Sequence, residues 1–111
     1  MVAPLLKGLI PMLVLRILSE QDECYGYDIA QRIRAMSEAA LSPSEGALYP
    51  ALHRLETDRA ISAEWRAGDN GPRRRYYRIT EHGGDLLATY EREWAGLQRT
   101  IGAGAPEPRG V

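Results

Sequence analysis

The apolar residues fall into blocks whose spacing changes along the chain. Over about residues 4–19, Leu5, Leu6, Leu9, Met12, Leu13, Leu15, Ile17 and Leu18 cover more than one face of a predicted helix. A helix this apolar is either central in its domain or turned in part toward a second subunit. Pro11 falls in mid-pattern and predicts a bend. Residues 20–26 are polar, end in glycine and read as a loop. A second helix follows over about 27–37, with Ile29, Ala30, Ile33 and Met36 on one face and Asp28, Gln31, Arg32 and Arg34 outside. Ser42, Pro43 and Glu45 then stand in the order of cap, first helical position and third-position carboxylate, so a third helix is expected from Pro43. Its core stripe is Leu48, Leu52 and Leu55 beside Ala47 and Ala51, while Tyr49, His53, Glu56 and Thr57 look outward. Pro50 inside it predicts a second bend.

From Ile61 the period becomes two. Ile61, Ala63 and Trp65 alternate with Ser62, Glu64 and Arg66, and later Tyr76, Arg78 and Thr80 alternate with Tyr77 and Ile79. The turn-rich stretch 67–72 between them makes an antiparallel hairpin. Thr80 caps a fourth helix whose apolar positions Leu86, Leu87, Tyr90, Trp94, Leu97 and Ile101 recur every three or four residues. The small, Pro- and Gly-rich residues 102–111 read as a disordered tail. The order is helix, helix, helix, hairpin, helix: a mainly α chain with a small antiparallel β-hairpin.

Composition narrows the classes without choosing among them. At 111 residues, 44% apolar and 26% charged, the chain is one globular domain. Fifteen acidic residues against fourteen Lys and Arg leave a net charge of -1, which excludes a general polycation but not a local basic patch. One cysteine, Cys24, excludes an internal disulfide or a multi-cysteine cluster, and His53 and His82 are too few for a histidine-rich metal centre. No cofactor is expected. Lys7, Pro11 and Arg16 interrupt the opening apolar stretch, so neither a membrane span nor a signal peptide is expected, and the plain inference is a cytoplasmic protein.

The charge is unevenly placed. Arg66, Arg73, Arg74, Arg75 and Arg78 crowd the hairpin against a single Asp69. Strand alternation sends Arg73 and Arg75 to one side and Arg74 to the other. Arg73, Arg74 and Arg75 are the candidate wing contacts, because guanidinium groups on a hairpin tip suit phosphate contacts or minor-groove insertion; equally, such a cluster serves as a solvated face or pairs with an acidic partner. The helix before the hairpin follows another short helix, which is helix-turn-helix topology, and its start would enter a major groove. Ser42, Ser44, Tyr49 and His53 are the candidate contacts there. Ser42 caps the helix on the simpler reading, and Tyr49 has packing against the hairpin as its competing role.

Three blocks carry a family resemblance: Tyr25-Gly26-Tyr27-Asp28-Ile29, Gly46-Ala47-Leu48-Tyr49-Pro50-Ala51-Leu52-His53-Arg54-Leu55-Glu56, and Arg74-Arg75-Tyr76-Tyr77-Arg78-Ile79-Thr80-Glu81-His82-Gly83. In order and separation they resemble the signature blocks of the PadR family of winged-helix regulators, over roughly residues 5–97. The resemblance implies a winged helix-turn-helix domain over 1–80 and a C-terminal dimerisation helix over 81–101, as in the compact branch of the family. It further implies a dimeric DNA-binding protein, usually a repressor. Ala47 stands where the family usually has Thr, removing a hydroxyl near the start of the recognition helix. Ala60, beside Arg59, stands where it usually has Gly.

Dimerisation also follows from the stripe alone, because Trp94 and Leu97 extend beyond what a small core covers; folding back on the first helix is the other outcome. A two-fold dimer spacing its recognition helices by one DNA turn, roughly 34 Å, would read an inverted repeat in double-stranded DNA. Some compact members bind planar or hydrophobic compounds between subunits, and Trp94 resembles their aromatic contact in position. Leu5, Leu6, Leu9, Tyr90, Trp94 and Leu97 are thus candidates for dimer or effector contact, with core or interface packing the plainer use of Trp94.

An enzyme is not expected. Ser44 and His53 lie more than about 10 Å apart by helical rise, and no glycine-rich phosphate loop is present. The functional alternative is a winged-helix protein–protein module whose arginines meet an acidic partner. RNA stacking on Tyr76 and Tyr77 is a lesser option, because alternation places them on opposite faces.

Overall fold

The computed structural model describes residues 8–36, 45–68 and 71–103. Helix α1 spans Ile10–Glu20, strand β1 Cys24–Tyr25, helix α2 Gly26–Met36, helix α3 Glu45–Thr57, strand β2 Ile61–Gly68, strand β3 Gly71–Ile79 and helix α4 Glu81–Gly102. The strands form one antiparallel sheet in the order β1-β3-β2.

Helix α1 is the centre of the molecule. It packs on α2, α3, α4 and β3 and buries Ile10, Val14, Leu15, Ile17 and Leu18. Met12 and Leu13 lie partly buried against the same cluster, which is why the apolar residues cover more than one face and leave only Arg16, Ser19 and Glu20 exposed. Emptying one of its leucine sites would cost about 2–5 kcal/mol. Pro11 stands in the first turn of α1, not mid-helix; a proline is well placed there because its missing N–H has no acceptor to lose. The expected bend at Pro11 is therefore corrected. The expected residues 4–7 of this helix lie outside the described residues.

The stretch expected to be a loop contains β1, whose two residues are too few to show a period. Cys24 pairs with Tyr77 and Tyr25 with Tyr76. Burial raises the pKa of the Cys24 thiol above its ordinary value. Helix α2 buries Ile29 and Ile33, while Met36, expected inward, is 54% exposed at the last turn. The link 37–44 and the expected start of α3 at Pro43 lie outside the described residues. Within α3, Leu48, Leu52 and Leu55 are buried and Ala47 and Ala51 pack beside them, as the stripe predicts.

Helix α3 stops at a left-handed residue. Arg59 has φ 61°, its N–H donates to the Glu56 carbonyl, and the Ala60 N–H donates to the Leu55 carbonyl at 2.9 Å. These two bonds satisfy carbonyls of the last turn. The departure noted at Ala60 is thus accommodated with Ala60 fully buried and Arg59 carrying the turn.

The strands run further than the pattern indicated, so only residues 69–70, outside the described residues, remain between β2 and β3. At the root of the hairpin Thr80 caps α4. Its hydroxyl accepts from the Gly83 N–H at 3.0 Å and donates to the Arg59 carbonyl at 2.7 Å. Gly83 is required by close approach: a Cβ there would stand 2.0 Å from the Ala60 carbonyl oxygen and 2.8 Å from Ile79. Beyond Leu87 no residue of α4 is fully buried. Of the expected tail, Gly102 ends α4 and residues 104–111 lie outside the described residues.

Candidate nucleic-acid interface

The β2–β3 register sorts the hairpin side chains into two faces. Trp65 stands opposite Arg75 and Ala63 opposite Tyr77, on the face turned to the helices; Arg66 stands opposite Arg74 and Glu64 opposite Tyr76, on the outer face. Alternation thus places Arg73 and Arg75 together and Arg74 apart. Ile61 and Tyr77 are in the core, but Trp65, two residues beyond Ala63, has outrun it and is 53% exposed.

The arginines divide by what they touch. On the outer face Arg66 pairs with both Glu23 and Glu64, and Arg78 donates to Glu23 at 2.9 and 3.1 Å. Hydrogen bonds from Arg66 and then Arg78 hold the Glu23 carboxyl below its ordinary pKa. The Arg66 guanidinium also lies 4.8 Å from the centre of the Tyr76 ring. On the inner face Arg75 pairs with Glu56 of α3. Arg73 and Arg74 have no carboxylate partner among the described residues. The Arg73 guanidinium lies 6.0 Å from the Trp65 ring centre, and that of Arg74 lies 4.6 Å from the Tyr25 ring centre.

Between the exposed face of α3 and the hairpin lies an open cleft of about 700 Å³. Tyr49 and His53, one helical turn apart on α3, line one side, and Trp65, Arg73, Arg74 and Arg75 the other. Tyr25 and Tyr27, stacked with ring centres 6.4 Å apart, close the end. The structure therefore brings together Tyr49, His53, Arg73, Arg74 and Arg75. Ser42 and Ser44 lie outside the described residues. Tyr49 is 44% exposed and rests against Gly26, where a Cβ would stand 3.1 Å from its ring.

Sequence reasoning missed Tyr25, Tyr27, Glu56 and Trp65 as parts of this cleft. Trp65 carried the period-two signal of a core residue, and nothing local tells where along a strand the core ends. Glu56 read as solvated because its partner is nineteen residues away. Chemically the cleft offers guanidinium groups for phosphates, aromatic faces for sugars or bases, and hydroxyl and imidazole donors.

A second concavity, about 190 Å³, lies between the start of α1 and α4. Gly8, Leu9, Met12, Tyr90, Trp94 and Leu97 line it. It collects the described members of the dimer or effector set; Leu5 and Leu6 lie outside the described residues. Among the described residues no helix is long and apolar enough to cross a membrane.

Comparison with known proteins identifies the arrangement. A solved transcriptional regulator from Clostridium thermocellum superposes with a TM-score of 0.83 at 29% identity, covering 94% of this chain and 100% of its own. A PadR-like transcriptional regulator from Bacillus cereus gives 0.76 at 30% identity, covering 91% of this chain and 95% of its own. An uncharacterised protein of Lysinibacillus sphaericus is 33% identical over 97 residues, 87% of this chain and 88% of that protein. The model of the transcriptional regulator PadR-like family matches residues 14–89, more than half of the chain. The chain belongs to that family: it is a DNA-binding transcription regulator of winged-helix fold and not an enzyme.

Proposed function

We propose that the protein is a dimeric repressor that binds an inverted repeat in double-stranded DNA and blocks transcription by occupying it. The observation that carries this reading is the pairing of an uncommitted arginine tip, Arg73 and Arg74, with the exposed Tyr49 and His53 across one cleft. The start of α3, with Ser42 and Ser44 before it, enters the major groove, and the hairpin tip takes phosphates beside it.

The dimer reading rests on α4. Gly83, Leu87, Tyr90, Trp94, Leu97 and Ile101 are spaced alternately by four and three, the pattern of a helix–helix seam. In a single chain Leu97 is 44% and Ile101 67% exposed. A second subunit placed over this stripe, against Leu9 and Met12, would cover both. At about 190 Å³ the groove is smaller than the roughly 300–1,000 Å³ of typical small-molecule sites. We therefore assign Trp94 to seam packing, with any hydrophobic or aromatic effector acting by entering between subunits.

Fluorescence anisotropy tests the DNA reading, using the duplex upstream of the protein's own gene beside a scrambled duplex at two salt concentrations. Preference for the upstream duplex is expected; equal affinity for both would remove this operator, and no binding to either would remove the DNA reading. Sedimentation should give a dimer, and Leu97→Glu should give monomers.

A further inference from the structure

One acidic side chain stands on the DNA-facing surface with no place in the scheme above. Glu56 follows Tyr49 and His53 at the next positions of the same helical face, where a carboxylate would repel phosphate. Its carboxylate accepts from the Arg75 guanidinium, with the two side chains only 31% and 34% exposed. The Arg75 guanidinium also lies 5.5 Å from the centre of the Trp65 ring, while its Nε is buried without a hydrogen-bond partner. Its neighbours Arg73 and Arg74, equally placed in sequence, have no such carboxylate among the described residues.

We propose that Glu56 is a specificity-determining residue: it occupies Arg75 as a phosphate would, keeping one wing arginine off the DNA backbone and fixing the hairpin against the recognition helix. This rests on the DNA-binding reading. Nonspecific affinity grows with the number of phosphates neutralised, whereas base readout does not. Withholding one guanidinium from phosphate therefore lowers binding to every sequence alike. Holding the hairpin at a set distance from α3 keeps Tyr49 and His53 in register with the groove when the correct sequence is present.

The test is a double-mutant cycle with Glu56→Gln, Arg75→Gln and both together, each checked for folding by circular dichroism. Anisotropy is measured on the scrambled duplex between about 50 and 200 mM salt, where each phosphate contact contributes a slope of about 0.9. Glu56→Gln is expected to steepen the slope by about one, bind the scrambled duplex several-fold more tightly, and narrow the preference for the upstream duplex. Arg75→Gln is expected to keep the wild-type slope, unlike Arg74→Gln, which flattens it. In the Arg75→Gln background, Glu56→Gln should change nothing, which separates a withheld arginine from simple repulsion between carboxylate and phosphate. A flattened slope for Arg75→Gln, or an unchanged slope for Glu56→Gln in a wild type that binds DNA, would overturn the proposal while leaving the DNA reading intact. A wild type with no salt-dependent binding to either duplex would overturn both.

Discussion

The root and the tip of the same hairpin obey different rules. At the root every feature answers to something inside the molecule. Thr80 caps α4 and Gly83 lets that helix touch the Ala60 carbonyl, while Glu23 ties Arg78 near the root to Arg66 further along the outer face. At the tip, Arg73 and Arg74 rest on the faces of Trp65 and Tyr25 with no carboxylate to answer them among the described residues. Five arginines of one hairpin thus serve two purposes, and the sequence interval alone does not tell them apart. The lesson is that a basic cluster should be read after subtracting the cations already paired. Here the subtraction leaves the two that point into or beside the cleft.

The largest effect should come from breaking the root. Gly83→Ala drives a methyl group into backbone that cannot move aside, and about 3 kcal/mol of stability should be lost in a thermal or urea melt. A melt within 0.5 kcal/mol of wild type would refute the close approach. Breaking the tip should leave stability alone and act on DNA instead. Arg73→Ala with Arg74→Ala should weaken binding to every duplex and flatten the salt slope by about two, whereas Arg66→Ala should leave that slope in place.

Acid sharpens the contrast further. Because the folded Glu23 carboxyl titrates below its ordinary value of 4.5, its contribution is complete above that value and fades as pH falls through the lower folded one. The melting temperatures of wild type and Glu23→Gln should therefore differ at pH 7 and draw together as pH falls below 4.5. A gap that does not narrow would show that the clamp contributes nothing. The smallest effect belongs to the turn that ends α3. Arg59→Gly relieves a left-handed backbone at the expense of unfolded-chain freedom, for a net gain of about 0.5–1 kcal/mol in a melt.

Much of this was legible in the residues. The stripes of α3 and α4 and the alternation of the hairpin are periodic over many positions, so the helices and strands follow from pattern. Signature blocks then gave the winged-helix family, which the comparisons bear out. The misses have specific causes. Strand β1 is two residues long, below any period. Pro11 and Met36 sit at helix ends, where a pattern that runs past the boundary misplaces them. Trp65 and Glu56 depend on where the core stops and on a partner far along the chain, and tertiary distance is not written locally. The arginine triplet was visible as a cluster, but its division between Arg75 and its two neighbours needed the position of Glu56.

The most direct test of the central claim uses the two tryptophans as reporters on opposite surfaces, Trp65 in the cleft and Trp94 on the α4 seam. Each indole N–H gives one cross-peak in a ¹⁵N-resolved NMR spectrum, assigned with Trp65→Phe. On titration with the upstream duplex, the Trp65 peak should shift and saturate while the Trp94 peak moves little. A Trp65 peak that stays fixed while DNA is bound, or a Trp94 peak that moves in its place, would contradict the assignment of the cleft as the DNA-binding surface.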